Sequence, residues 1–459
     1  MPTGWSKALG RGRQRGWQIA SVLWSDSRQS VWAMADQAVV SLGNFAVNIL
    51  LARYFARQHD VATLGAYFIL IEPMLLLNSI QAAMVVYPLT VRGAVLDAPA
   101  LGRLTSLSLA VTLLAWPVLA LGLLLTSLIA GMELAVGLWA AAALLLWQMQ
   151  ETVRRALMAH LRFRFTLIGD CIGYAGLAAA VVMLAGNGRL TLPAVFQAMA
   201  LTMGVATLVL GWRVGLHQVS ASQIIPFLRQ SWELGRWILA GNVLNVFGGT
   251  LFNWNLAWWC GKQQLGVYAA VTNVLRLANP LSFVVSTLIM PNAARTLRQQ
   301  GMRRAKRVMH RFGLLGTLLL APYLGLLLIA PRTGLAIFYG WDSTYVQHGQ
   351  YAQVLRIAAL VMGLSFAITA TGALLNAVER TRATFVSQLL AAGAYVLVAM
   401  PLTAAFDLIG AVAGWLVAAT VQVAVQAYAV KKLPDEPQAA GMTQQIAHPQ
   451  PQAQRLAAA

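Results

Sequence analysis

Two ionisable residues stand where apolar sequence should exclude them. Glu72 lies about eight residues into the apolar stretch Leu64–Thr90, roughly 12 Å along a helix from its end. Arg276 lies about eleven residues into Leu265–Ala293, roughly 16 Å along by the same rise. A charge at hydrocarbon depth is costly, so such a group should face a cavity, a ligand or a partner. Glu72, followed by Pro73, can serve a site or make a structural hydrogen bond across the kink. Arg276 presents a planar fork of donors that matches the oxygens of a diphosphate as lysine cannot. It can equally form a permanent pair with Glu72, and the sequence leaves both readings open.

Further polar residues join these two. Asp36, Asn44 and Asn48 recur along the stretch Val31–Phe55 at a spacing that suits a polar stripe on a cavity wall. The same stripe from Gln37 to Asn44 can instead bind helix to helix. Asn78 and Asn279 occupy comparable depths in their stretches. Arg356, near the outer start of Tyr351–Val378, is a second candidate for phosphate, whereas Arg53 reads as an interfacial anchor. Glu151 with Arg154 and Arg155 has ordinary helix-end pairing spacing. Asp170 and Arg236 read as solvated near the cytoplasmic face, and Trp254, Trp258 and Trp259 as an interfacial belt. No P-loop, HExxH or GxSxG sequence is present, and Cys171 and Cys260 lack a CxxC or accompanying histidine. No catalytic residue, metal or cofactor is expected.

The elements that must position these residues are membrane spans. Hydrophobic residues make up 59% of the chain and charged residues only 10%, against about 25% in soluble domains. Twelve stretches are long enough to cross a bilayer: Val31–Phe55, Leu64–Thr90, Leu104–Leu128, Leu134–Ala159, Phe165–Leu184, Leu192–Trp212, Leu234–Trp259, Leu265–Ala293, Val308–Ile329, Tyr351–Val378, Phe385–Leu402 and Leu408–Val430. Basic residues collect in every second loop, most densely from Arg295 to Arg307, which predicts that both termini are cytoplasmic. The pI near 10.9 therefore reflects loops that meet anionic lipid, and not nucleic-acid binding. Residues 1–30 read as a basic cytoplasmic segment on the inner leaflet without signal-peptide character. The tail 431–459, rich in Pro, Gln and Ala, is expected to be disordered.

An internal repeat divides the spans six and six. Leu64-Gly65-Ala66-Tyr67 matches Leu265-Gly266-Val267-Tyr268, and Asn78 falls on Asn279 at the same offset. Pro88 and Pro291 close the two spans, and Arg162-Phe163-Arg164-Phe165-Thr166 is echoed by Arg380-Thr381-Arg382-Ala383-Thr384. The expected fold is all-α and polytopic. Two pseudo-symmetric six-helix lobes, 31–213 and 232–430, are joined by a cytoplasmic linker 214–231 around a central cleft. Glu72 superposes on Asn273 in this repeat, so Glu72 and Arg276 should approach each other at similar depth.

Asp36-Gln37-Ala38-Val39-Val40-Ser41-Leu42-Gly43-Asn44-Phe45, continuing to Leu50-Leu51-Ala52-Arg53, resembles the first span of bacterial polysaccharide (O-antigen type) flippases. These belong to the multidrug/oligosaccharidyl-lipid/polysaccharide exporter superfamily. Leu64-Gly65-Ala66-Tyr67 is similar to the family as well, as is Ile337-Phe338-Tyr339-Gly340 with Tyr345 and Leu355-Arg356. The likeness covers roughly residues 30–430, with a departure at Trp341-Asp342-Ser343-Thr344, where the family carries an acidic residue in a Gly-x-x-Tyr stretch. It implies a flippase of the bacterial inner membrane that moves polyprenyl-diphosphate-linked oligosaccharide for surface polysaccharide synthesis. Membrane lipids, a coupling ion (H⁺ or Na⁺) and glycan polymerase or glycosyltransferase partners go with that implication. A drug exporter of the same superfamily would require acidic residues to dominate the cleft, and here acidic and basic groups are mixed. A membrane glycosyltransferase or polymerase would require large extramembrane loops, and none of the outer loops exceeds roughly twenty residues.

Overall fold

In the computed structural model the described residues are 5–378 and 380–434, with side chains described from Val31 onward except at 237, 241, 244–247, 282–284, 286–288, 291 and 298. The tail expected to be disordered lies, from residue 435, outside them. Thirteen helical elements carry the described chain. They are α1 (Trp5–Arg57), α2 (Val61–Gly93), α3 (Ala98–Ile129), α4 (Leu134–Ala159), α5 (Phe163–Gly186), α6 (Leu192–Val214) and α7 (Ile224–Leu275). Then follow α8 (Asn279–Gln300), α9 (Met302–Ile329), the short α10 (Pro331–Tyr339) and α11 (Thr344–Gln347), α12 (Gly349–Ala377) and α13 (Thr381–Lys431). Two are double: α7 bends at Gly261, with φ of 82°, and α13 bends at Phe406–Asp407. Counting each bend, roughly twelve helices cross the membrane, and every stretch expected to span falls on helix.

Local chemistry sets several of the helix starts. The Asp60 carboxylate accepts from the Thr63 backbone N–H at 3.2 Å and from its hydroxyl at 2.6 Å, opening α2. Asp97 accepts from the Ala100 N–H at 2.9 Å and opens α3. Outward faces are apolar throughout: Leu114, Val118, Leu121 and Ile129 on α3, and Leu314, Leu318 and Leu319 on α9, are each more than half exposed. Water would not tolerate so much contiguous apolar surface, whereas lipid covers it. The chain is a multi-pass membrane protein.

Among the described residues eight helices are long and apolar enough to cross by composition alone. The fourth crossing, α4, and α7 fall outside that set, and both carry ionic and carboxamide side chains. Such helices persist in a bilayer by turning their polar groups toward one another or toward a cavity.

The chain separates into two compact units. One comprises residues up to 277 together with 332–354 and 402–411; the other comprises 278–331, 355–401 and 412 onward. In the first, Leu109, Val153, Leu157 and Leu210 form one core knot. In the second, Val285, Ile289, Met309, Phe366, Leu374 and Leu375 pack together.

Within the first unit the repeated tetrapeptide meets itself. A Cβ added to Gly65 would lie 1.8 Å from the Lys262 carbonyl oxygen, and one added to Gly266 would lie 2.2 Å from the Val61 carbonyl oxygen. Lys262 precedes Gly266 by four residues, as Val61 precedes Gly65, so the contact is reciprocal. The flanking residues repeat their burial too: Leu64 and Leu265 are fully buried, and Tyr67 and Tyr268 nearly so. Only glycine lets two helix backbones come this near.

Candidate functional site

Two polar centres occupy the first unit. The first surrounds Arg276. The eighth crossing is interrupted here: α7 ends at Leu275, a single 3-10 turn spans Arg276–Ala278, and Pro280 begins α8. Broken helices at membrane depth are stable where they line a cavity. The Arg276 side chain is exposed, and its guanidinium carbon lies 5.6 Å from the centroid of the Phe68 ring. Glu72 is a neighbour, within reach of both Arg276 and the carboxamide of Asn253. Arg276 and Glu72 are thus within electrostatic reach, yet among the described residues they form no ion pair within 4.0 Å. Asn273, one turn before Arg276, is 1% exposed, and its amide lies beside the Tyr339 hydroxyl.

The outer wall of this centre comes from a segment far along the chain. The Tyr339 hydroxyl donates to the Ala270 carbonyl at 2.8 Å, and the Tyr345 hydroxyl donates to the Ala52 carbonyl at 3.2 Å. The two rings meet at an angle of 60° with centroids 4.8 Å apart. Arg53, read from sequence as an interfacial anchor, donates through Nε to the Phe338 carbonyl. The residues that carried the family likeness after Ile337 are therefore the ones that dock α10 and α11 onto α1 and α7.

The second centre is a closed ionic lattice on α1, α4 and α5. Arg154 Nη2 lies 2.6 Å from Asp36 Oδ2, Nε lies 2.7 Å from Asp170 Oδ2, and Nη1 lies 3.3 Å from Glu151 Oε2. Arg155 takes the other Glu151 oxygen at 2.5 Å, and Gln150 Nε2 donates to Asp170 Oδ1 at 2.9 Å. Asp170 is fully buried, so its expected solvated position near the interface is corrected. Glu151 and Arg154 are likewise more than a helix-end pair, because Arg154 joins three helices and its side chain is only 6% exposed. Sequence reasoning missed this centre, since its carboxylates lie 118 and 16 residues from Arg154 and share no local spacing.

The other candidates are dispersed. Asp36 belongs to the ionic lattice and keeps one oxygen, Oδ1, unpartnered among the described residues. Asn44 is exposed on α1, while Asn48, on the same helix, is 9% exposed. Asn78 is partly buried on α2, with its Oδ1 unpartnered among the described residues. Asn279 and Arg356 belong to the second unit, where both are exposed; Arg356 Nε donates to the Leu328 carbonyl at 2.9 Å.

No protein-family model matches this sequence, and no curated protein matches it. Solved structures match in fold. The lipid II flippase MurJ, in an inward closed conformation, aligns with a TM-score of 0.64 at 13% identity over 88% of each chain. An inward-facing multidrug resistance MATE family transporter of the MOP superfamily gives 0.61 at 12% identity, over 88% of this chain and 98% of that one. A MOP superfamily transporter from Pyrococcus furiosus Vc1, described by a binding pocket of reverse polarity, gives 0.59 at 13% identity over 88% and 95%. At such identities the likeness is one of architecture: the chain shares its fold with these structures.

Proposed function

We propose that this protein is a flippase that carries polyprenyl-diphosphate-linked oligosaccharide across the bacterial cytoplasmic membrane for surface polysaccharide synthesis, with both termini in the cytoplasm. The observation that carries this reading is the open guanidinium of Arg276, set at a broken helix one turn from the buried amide of Asn273. A diphosphate would take the fork of donors, and the carboxamides of Asn273 and Asn253 would lie near the first sugars. Glu72 beside the guanidinium would repel a bound anion at close range and so favour its release. The reading includes two six-helix lobes, 31–213 and 232–430, that open alternately, and a coupling cation, H⁺ or Na⁺.

The test uses the full chain in liposomes with a polyprenyl-diphosphate oligosaccharide and a leaflet-accessibility assay. Arg276→Ala should abolish translocation with folding intact, and Arg276→Lys should restore only part of it, since charge returns without the bidentate geometry. Full transport by Arg276→Ala would overturn the assignment. So would full transport by the double change Glu72→Gln with Arg276→Gln, because the pair would then be structural.

A second reading is cation-coupled export of drugs, and the Asp36, Asp170 and Glu151 carboxylates favour it. Counted with Arg154 and Arg155, that lattice holds one more acid than base, a composition suited to taking up one proton. Against it, three carboxylate oxygens are already engaged by one guanidinium. Efflux of a cationic dye driven by a proton or sodium gradient, with no movement of lipid-linked sugar, would favour it over the flippase.

A further inference from the structure

The second unit contains a cavity of about 520 Å³ between α8, α12 and the two arms of α13. That size lies in the range of small-molecule sites, roughly 300–1,000 Å³. Six neutral polar side chains line it: Thr369, Asn376, Thr384, Gln388, Gln422 and Gln426. Among the described residues no Asp, Glu, Lys or Arg does. The polar residues are in register. Thr369 and Asn376 lie seven apart on α12; Thr384 and Gln388, and again Gln422 and Gln426, lie four apart on α13, so each set shares one helix face. Met290 and Ile368 supply an apolar wall.

Parts of this lining are held in fixed orientation. Thr371 Oγ1 donates to Gln426 Oε1 at 2.6 Å, and Gln426 Nε2 donates to Ser387 Oγ at 3.1 Å. Thr384 Oγ1 donates to Asn376 Oδ1 at 3.4 Å, which leaves the Asn376 NH₂ for another acceptor. Gln388 and Gln422 have no hydrogen-bond partner for their amides among the described residues. Four glutamine or asparagine amides converge near the ends of their spans, so whatever occupies the cavity must meet their donors and acceptors.

We propose that this cavity binds a neutral polyhydroxyl group, an uncharged sugar unit, separately from the centre at Arg276. A sugar hydroxyl both donates and accepts, as each amide does, so the two pair without any net charge. A carboxylate or ammonium in the same place would lose its hydration and meet no opposite charge. That the sugar belongs to the transported head group rests on the flippase reading; that the cavity prefers neutral sugar does not. Gly372 controls the available space. A Cβ there would touch the Gln426 amide at 3.8 Å, an ordinary contact, so alanine fits while a branched side chain fills the cavity.

The full chain in lipid nanodiscs, free of glycoside detergent, is titrated with N-acetylglucosamine, glucuronate and glucosamine, and binding is read by saturation-transfer NMR. N-acetylglucosamine should bind at least about tenfold more tightly than either charged sugar. Gly372→Leu should abolish that binding and Gly372→Ala preserve it. Gln388→Leu with Gln422→Leu, which retains much of the volume, should weaken it by about tenfold. Equal binding by Gly372→Leu, equal affinity for the charged sugars, or no sugar binding by the unmodified protein would each overturn the proposal. If sugar binding depends on Gly372 while no lipid-linked glycan is flipped, the cavity stands and the flippase reading falls. If glycan is flipped and Gly372→Leu alters neither binding nor transport, the reverse holds.

Discussion

Arg154 and Arg276 are the same side chain on membrane-crossing helices of one compact unit, and they are used in opposite ways. Arg154 has Asp36, Asp170 and Glu151 around it within 3.3 Å, and its side chain is 6% exposed. Arg276 has a phenyl ring and a carboxylate as neighbours, forms no ion pair among the described residues and remains exposed. A guanidinium whose donors are all engaged joins helices together. One whose donors stand open is available to an anion. A place on a membrane-crossing helix is common to both, but only the inventory of partners distinguishes a rivet from a receptor.

The largest effect should fall on the closed centre. Arg154→Leu strands two buried carboxylates and should destabilise the protein by about 3–5 kcal/mol, measured by thermal or denaturant unfolding in detergent. Asp36→Leu with Arg154→Met and Asp170→Leu removes the lattice as a whole and should recover most of that loss. If Arg154→Leu leaves stability unchanged, the contrast between the two centres collapses.

At the open centre the expected stability effect is small. Arg276→Ala should shift unfolding by no more than about 1 kcal/mol, the worth of its contact with the Phe68 ring at an exposed site. A loss of several kcal/mol would make Arg276 a second rivet.

The smallest effect concerns a probe of access. In a Cys171→Ser background, Arg276→Cys should react readily with a small thiol reagent. Cys260, in the turn between the two parts of α7, should stay silent. Burial, reinforced by Asp407, pushes its thiol from 9.0 up to about 11. A raised value keeps the thiol protonated, so at pH 8 alkylation should run about a hundredfold below that of an unshifted thiol. The rate should climb about tenfold per pH unit until pH 11, and Asp407→Asn should quicken it, as mass spectrometry would record.

The membrane architecture was legible because apolar length and loop charge are local properties. All twelve expected spans lie on helix, although the bends at Gly261 and Asp407 run adjacent spans together. Glu72 and Arg276 could be singled out one at a time, because a charge inside an apolar run is conspicuous wherever it points. Their lack of a direct ion pair could not be read, since it depends on side-chain placement across two helices. Asp170 was misplaced for a related reason: near a span's end, solvation and burial look alike until Arg154 arrives from another helix. The cavity in the second unit escaped notice because Gln388, Gln422 and Gln426 are uncharged, and neutral amides in an apolar helix draw little attention singly.

The reciprocal contact of Gly65 and Gly266 has a genetic consequence. After an internal duplication, most positions in the two copies are free to diverge, since each comes to serve its own surroundings. These two are each opposed by the other copy's backbone, so a side chain gained at either site meets a carbonyl that no second substitution can remove. Drift at this place is closed to both copies at once. On the duplication that the sequence suggests, Leu64-Gly65-Ala66-Tyr67 and Leu265-Gly266-Val267-Tyr268 stay alike because each is held by the other's backbone.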